Sequence, residues 1–483
     1  MKISNLLEKL TNLPIWPPLW FLFFFLLPVT SMPAVVNLVR SDVVAAPSGV
    51  LLILLLAGWV IPKLLLDGRL SRNSFPLLCF VLISLILTAI SFFTDVPSYK
   101  FAVPLRSTMT AVLTLFTGLG FFLSAMTWAQ DPARLRFAIR ILNWSGALML
   151  GWTLLQAFFW YTTQGYPGWM KDIQFALSVG SLYRQRFVGF AYEPSWLAHQ
   201  LNLLYLPLWL AASITGDSAH ERRAGWLTFE RLLFFLGTLV LYLTLSRVGI
   251  AAFILVLLFY LITRLFFSTR GMENAQRSRF RRLVPLLFLI LPAGLLAILW
   301  TLTKLDFRMA QLFTINLRGR SDPLLYLAEK LSLATRFVFW EAGLNIFSDH
   351  PLTGVGLGKA GYYMPDALSA FALQLVEVRN LLYRSNTLLN IKSIWIRLLA
   401  ETGIIGFSFF IGWLTVSFAD GWKLIRSASS QQKTLGWMAC FTLVAFLLEG
   451  FSLDTFALPY LWISLGLAGG CGVLADADKA GSA

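Results

Sequence analysis

Three stretches of this 483-residue chain concentrate side chains able to hold an anion and to move a proton. The first, LYRQRFVGFAYEPSWLAHQ (Leu182 to Gln200), brings Arg184, Arg186 and Glu193 to the start of an apolar run. The second, LTLSRVGIAA (Leu243 to Ala252), isolates Arg247 between two apolar runs that almost abut. The third carries Arg336 and Trp340, then His350, then alternate glycines at Gly354, Gly356 and Gly358 within SDHPLTGVGLGKAGYY (Ser348 to Tyr363). Guanidinium groups are planar and permanently charged, and they match phosphate oxygens two at a time. Imidazole titrates near neutrality, which makes His350 the natural general base, with the carboxylate of Glu193 in reserve. Glycines let a backbone bend sharply or approach a ligand. These types suit a site that neutralises growing phosphate charge while a hydroxyl is deprotonated.

Each residue also has a plainer reading. An arginine near the end of an apolar run often anchors at the lipid headgroups. A loop histidine is often satisfied by a neighbour. Glu193 could simply cap the helix that Pro194 starts. Trp340 and the Tyr362–Tyr363 pair could be interface or loop-core aromatics rather than sugar platforms. His199 is ambiguous, and His220 falls in a connection on the wrong side for the site proposed below.

What must position these residues follows from composition. The chain is 57% hydrophobic and 13% charged, with mean hydropathy +0.71, far from the soluble average. This predicts an all-α, polytopic membrane protein, since helices satisfy their own backbone groups in lipid. Cys79, Cys440 and Cys471 all lie in apolar runs, which argues against a disulfide framework or a thiolate metal site. Lys2 and Lys9 precede an apolar run with no small-residue cleavage pattern, so that run reads as a retained helix. The net charge of +15 is distributed as membrane orientation requires, rather than as a nucleic-acid surface.

Apolar runs long enough to cross a bilayer recur near 16–38, 48–66, 75–93, 104–128, 138–161, 194–214, 229–245, 248–267, 284–302, 403–420, 434–450 and 455–474. Alternate connections hold Lys63, Arg69 and Arg72; Arg134 and Arg136; Arg222 and Arg223; Arg270, Arg277, Arg279, Arg281 and Arg282; and Lys423, Arg426 and Lys433. Such loops are cytoplasmic by the excess of positive charge near span ends, which places both termini inside. The expected organisation is nine spans over 1–302, a large outer loop over 303–402, three spans over 403–475 and an inner tail over 476–483. Within the loop, LSLATRFVFWEAGLNIF (Leu331 to Phe347) has apolar residues at helical spacing. On this topology Arg186 and Glu193 sit at the outward N-terminus of one span and Arg247 at that of another. Helix N-termini attract phosphate through their free N–H groups and dipole.

The string TRFVFWEAGLNIFSDHPLTGVGLGKAGYY resembles the outer loop of the O-antigen ligase and O-antigen polymerase superfamily, where an Arg, a Trp and a His-Pro-x-x-Gly-x-Gly element recur. RFVGFAYEPSWLA and LTLSRVGIAA resemble two further motifs of that group, in the same order, and the span pattern resembles it from about 140 to 470. The resemblance implies a membrane-embedded glycosyltransferase of the GT-C type, inverting and metal-independent, with no cofactor. Its donor would be an undecaprenyl-diphosphate-linked oligosaccharide and its acceptor a hydroxyl of a glycan or lipid core, on the outer face of the bacterial inner membrane. Membrane lipid, and in polymerases a chain-length regulator, would be its partners; nucleic acid would not. Carried over, Arg186 and Arg247 would bind the diphosphate, with Arg184 and Arg336 as supporting cations and His350 at the acceptor or base position. Trp340, Gly354 and Gly356 would shape the loop. One position departs: ligase-like members have a His-Asn pair before the LLAETGIIG element, and this chain has Lys392 and Ser393. With the Glu-Pro-Ser element at Glu193 to Ser195, that favours a polymerase of exported polysaccharide over a ligase.

On the residues alone, the outer side offers no acidic pair suited to Mg²⁺; the one D-x-D, Asp476 and Asp478, lies in the inner tail. A transporter or lipid flippase would share the span count, but it needs ionisable or broken-helix sites near the midplane and a path to both faces. A purely structural membrane protein would not require Arg247 in a hairpin.

Overall fold

A computed structural model of the chain describes residues 2–39, 45–221, 225–268 and 333–481. The expected span at 284–302, the basic stretch from Arg270 to Arg282, Arg222 and Arg223, and the first part of the long connection lie outside them. The helices are α1 (Lys2–Thr11), α2 (Trp16–Phe25), α3 (Pro33–Val39), α4 (Pro47–Asp67), α5 (Ser74–Ile90), α6 (Pro104–Trp128), α7 (Pro132–Thr163), α8 (Gly168–Leu177) and α9 (Pro194–Thr215). They continue with α10 (Phe229–Leu243), α11 (Arg247–Ser268), α12 (Ala334–Asp349), α13 (Ala360–Ala367), α14 (Val376–Tyr383), α15 (Ile394–Ile425), α16 (Ser430–Glu449) and α17 (Tyr460–Gly481). Among the described residues the one β contact is an isolated bridge between Ser31 and Ala45.

Seven of these helices, α4, α5, α6, α9, α11, α15 and α17, are long and apolar enough to cross a membrane. The protein is an all-helical, polytopic membrane protein. The apolar run at 16–38 forms two helices instead of one: α2 stops at Leu26, just before Pro28, and α3 starts on Pro33. Proline disfavours helix in the residue before it and lacks the N–H that a helix interior needs. The segment between them is tied down by its neighbours. Ala45 N donates to Thr30 O, Val179 N to Ser31 O, and Tyr192 N to the Thr30 hydroxyl.

The long helices give the bundle two ends. At one, Lys423 pairs with Asp476 at 2.8 Å, Arg72 with Asp420 at 3.9 Å, and the hydroxyls of Thr215 and Thr434 meet at 2.6 Å. At the other lie the starts of α9, α11 and α15 and the end of α16, where Ile394 N donates to Gly450 O at 2.9 Å. Between them the core is filled by Trp20, Trp209, Trp413 and Trp462, all fully buried. Close packing requires small partners: a Cβ on Gly118 would fall 2.4 Å from the Trp462 ring.

At the second end α12, α13 and α14 form an apolar cluster of their own. Val338, Phe339, Ala342 and Ile346 of α12 recur at helical spacing and bury against Met364, Val378, Ile391 and Ile396. This cluster rests on α15, which starts at Ile394 and bends at Gly403, where φ is +60° and ψ −169°. Non-helical torsions at one residue leave backbone groups on both sides of the bend without partners. The stretch after His350 supplies them: Val355 N and Gly356 N donate to Ala400 O and Glu401 O, and Ile404 N donates to Pro351 O. The expected start of a span at 403 thus falls on a bend within a longer helix.

Candidate active site

The site is built around the turn between α10 and α11. Helix α10 ends at Leu243; Leu245 takes a left-handed φ of +51°, and Ser246 begins the next helix at once. The Ser246 hydroxyl accepts from Gly249 N at 3.3 Å and its carbonyl from Ile250 N at 2.9 Å, a serine N-cap. Arg247 is therefore the first residue of α11. The segment before α9 runs alongside: Arg186 Nε donates to Thr244 O at 3.2 Å and Phe187 N to Leu243 O at 3.4 Å. Arg186 and Arg247 thus belong to one turn, while Arg184 is exposed beside it.

Glu193 takes the cap position of α9, with Pro194 in the first turn, yet its side chain bonds none of that helix's N–H groups. Its carbonyl accepts from Trp196 N and Leu197 N, and its carboxylate accepts from the Ser195 hydroxyl. The carboxylate is not consumed by capping. Burial, then Glu193 and Tyr192, raise the pKa of Tyr183 above the ordinary tyrosine value, with Arg186 acting the other way. Tyr183 thus lies in the field of both Glu193 and Arg186.

The opening of α12 adds a second group of charges. Glu377 accepts from the Thr335 hydroxyl at 2.8 Å and from Lys392 Nζ at 3.2 Å. Burial would raise its carboxyl, but Thr335, Lys392 and Arg336 outweigh that and hold it below the ordinary carboxylate value. Lys392 itself has φ +57°, a strained conformation for a side chain of that size, and its ammonium stands 5.3 Å from the Phe339 ring. One turn on from Arg336, the Trp340 ring packs 5.4 Å from Phe451. Trp340 is so placed beside the end of α16, with Arg336 one turn before it on α12 and near Glu377.

His350 lies at the other end of α12, about 20 Å from Arg336 at the helical rise per residue. Its ring meets Tyr363 edge-on at 5.6 Å, and its carbonyl accepts from Gly354 N at 3.0 Å. Gly354, Gly356 and Gly358 have φ of +64°, +91° and +75°. Their missing side chains make room for other protein: a Cβ would come within 2.6 Å of backbone atoms of Glu401 to Gly403 at Gly354, and 2.1 Å from the Ser91 hydroxyl at Gly356. Lys359 continues that packing, fully buried, with Nζ 2.9 Å from both the carbonyl and hydroxyl of Ser91. The structure thus brings Arg186 to Arg247, and Trp340 to the end of α16, while His350 sits on Tyr363.

Beneath the arginine turn is a buried polar group that the sequence reading passed over apart from His199. Asn202 Nδ2 donates to Gly249 O at 2.8 Å and to Glu449 Oε1 at 2.7 Å. Glu449 Oε2 lies 3.3 Å from His199 Nδ1 and 3.5 Å from the Ser452 hydroxyl. All three of His199, Asn202 and Glu449 are buried. The available signal was Glu449 itself, a carboxylate at the end of an apolar run, where an ionisable group is a functional candidate by default.

Residues 232–411, which include Arg247, Arg336, His350 and the Gly403 bend, match the family model described as O-antigen ligase. This segment belongs to the O-antigen ligase family. No curated protein matches the chain. The family match supports a glycosyltransferase-type enzyme of the O-antigen ligase and polymerase group in a membrane setting. Arg186 and Glu193 lie outside the matched segment, and Arg186 folds against the turn between α10 and α11 within it.

Proposed function

We propose that the protein moves an oligosaccharide from undecaprenyl diphosphate to an acceptor hydroxyl at the outer face of a bacterial inner membrane, polymerising repeat units of an exported polysaccharide or O-antigen. One observation carries the reading: Arg186 and Arg247 converge on a turn where α11 begins, at the same end of the bundle as the α9 N-terminus and the large loop. Two guanidinium groups and helix N-termini are what a diphosphate leaving group requires. Both termini of the chain would then lie on the cytoplasmic side.

In the reaction the acceptor oxygen attacks the anomeric carbon as the bond from that carbon to the diphosphate oxygen breaks, with inversion. The electron pair leaves on undecaprenyl diphosphate, whose growing charge Arg186 and Arg247 neutralise, and the hydroxyl proton passes to a base. Glu193 is the base candidate that shares the surroundings of Arg186. His350, set on Tyr363, fits the acceptor side. Metal independence and inversion belong to this proposal.

A second reading, ligation to a lipid core or to protein, is favoured by the description of the matched family. Purified protein incubated with an undecaprenyl diphosphate oligosaccharide separates the two. A ladder from donor alone supports polymerisation, a single addition to a supplied lipid core or protein supports ligation, and no transfer to any acceptor refutes both.

A further inference from the structure

The buried group below the arginine turn is poorly explained by stability alone. Glu449 is the last residue of α16, the end at which the helix dipole disfavours negative charge. It is 1% exposed, and a buried carboxylate is costly even when paired. In the same stretch of α9 that supplies His199 and Asn202, both amide atoms of Gln200 and the Oδ1 atom of Asn202 are buried with no hydrogen-bond partner among the described residues. Groups left in that state are rare in a core shaped only for packing.

What the group touches suggests its use. Asn202 lies in a π-turn of α9, Leu201–Tyr205, and such turns recur at functional positions. Its amide grips the carbonyl of Gly249, in the first turn of α11 and two residues from Arg247. At the same place α9 and α11 approach so closely that a Cβ on Gly249 would sit 2.7 Å from Ala198. The residue after Glu449 carries the load on the other side: Gly450 O accepts from Ile394 N and from the Ser393 hydroxyl at 3.3 Å. Helices α9, α11, α15 and α16 are therefore joined at one point directly beneath the turn.

We propose that Glu449 is a positioning residue for Arg247: through Asn202 it locks the first turn of α11 onto α9 and fixes where the guanidinium meets the diphosphate. This rests on the donor reading given above. The carboxylate acts by holding the Asn202 amide, so that both amide hydrogens are directed, one to Glu449 and one to Gly249. An arginine that stabilises transition-state charge loses much of its value when displaced by even an ångström.

The test compares turnover of an undecaprenyl diphosphate oligosaccharide per folded molecule in Asn202→Ala, Glu449→Ala and Glu449→Gln, each alone and combined with Arg247→Ala. Asn202→Ala and Glu449→Ala should each lower kcat ~10- to 100-fold with donor KM nearly constant. Glu449→Gln still presents an acceptor to Asn202 and should lose less than Glu449→Ala. In the Arg247→Ala background neither should cost more, because their effect passes through Arg247. Losses that multiply with Arg247→Ala, or wild-type kcat in Asn202→Ala, overturn the proposal. Amide exchange over 246–252 supplies a readout independent of the donor: it should rise in Asn202→Ala and Glu449→Ala, and unchanged exchange also overturns the proposal. If wild-type protein turns over no such donor, the functional reading fails, and exchange alone decides whether the clamp exists.

Discussion

The two ends of α12 make opposite use of residues that look equally suited to chemistry. At its start, Arg336 and Trp340 lie beside Lys392, Glu377 and Phe451, by the end of α16. At its finish, the glycines after His350 are taken up by protein: their backbone closes the bend of α15 at Gly403 and packs on Ser91. A Gly-rich loop behind a histidine suggests a ligand cradle, yet this one is mostly a buttress. The buried polar groups beneath the arginine turn come instead from two helices, from residues 247 positions apart in sequence, Asn202 and Glu449.

The largest expected effect breaks or upholds that contrast directly. Arg247→Ala should lower transfer by 10²- to 10³-fold, about 3–4 kcal/mol of transition-state stabilisation, with membrane insertion intact. His350→Ala should instead suppress transfer to acceptor by ~10²-fold or more while donor binding persists. Steady-state rates at varied donor and acceptor separate the two. If the loss in His350→Ala depends on donor rather than acceptor concentration, the division between the ends is wrong.

Next in size is the buttress. Gly403→Ala would place a Cβ 2.2 Å from Leu352 O at a residue with φ +60°. Strain and overpacking together should cost about 2–4 kcal/mol, seen as a lower Tm of the detergent-solubilised protein. An unchanged Tm would mean that the loop does not brace the bend.

How much of this was legible in the sequence differs residue by residue. Arg247 was legible because two abutting apolar runs leave its position almost no freedom. The helix of Ala334–Asp349 showed in its spacing, and the start of α9 in the Glu-Pro pair. The fate of the glycines was hidden, since nothing local to Gly354 announces a bend in a helix some fifty residues later. Glu449 was visible as a stray carboxylate, but its partner could not be named without the packing of α9 on α16. The break in the first apolar run was readable from Pro28 and Pro33, and overall hydrophobicity outweighed it.

Smaller effects sharpen the picture at the start of α12. Glu377→Gln or Lys392→Met breaks a half-exposed ion pair and should change stability by no more than ~1 kcal/mol. Acid acts on the same contact. A carboxyl held below its ordinary 4.5 adds stability that is present above that pH and fades as pH falls through the lower folded value. Amide protection over 376–392, corrected for the intrinsic pH dependence of exchange, should therefore fall as the pH drops below 4.5, and Glu377→Gln should remove that fall.

The wide turn at Leu201–Tyr205 also sets a register. A π-turn holds one residue more than an α-turn, so deleting a single leucine there would restore a regular helix at little hydrophobic cost. The stretches on either side would keep their mutual orientation, but the residues inside the turn, Asn202 among them, would be re-spaced onto other faces of the helix. The amide that grips Gly249 lies inside that turn, so its hold on α11 depends on the extra residue. Length, more than composition, is what this part of the chain has to conserve.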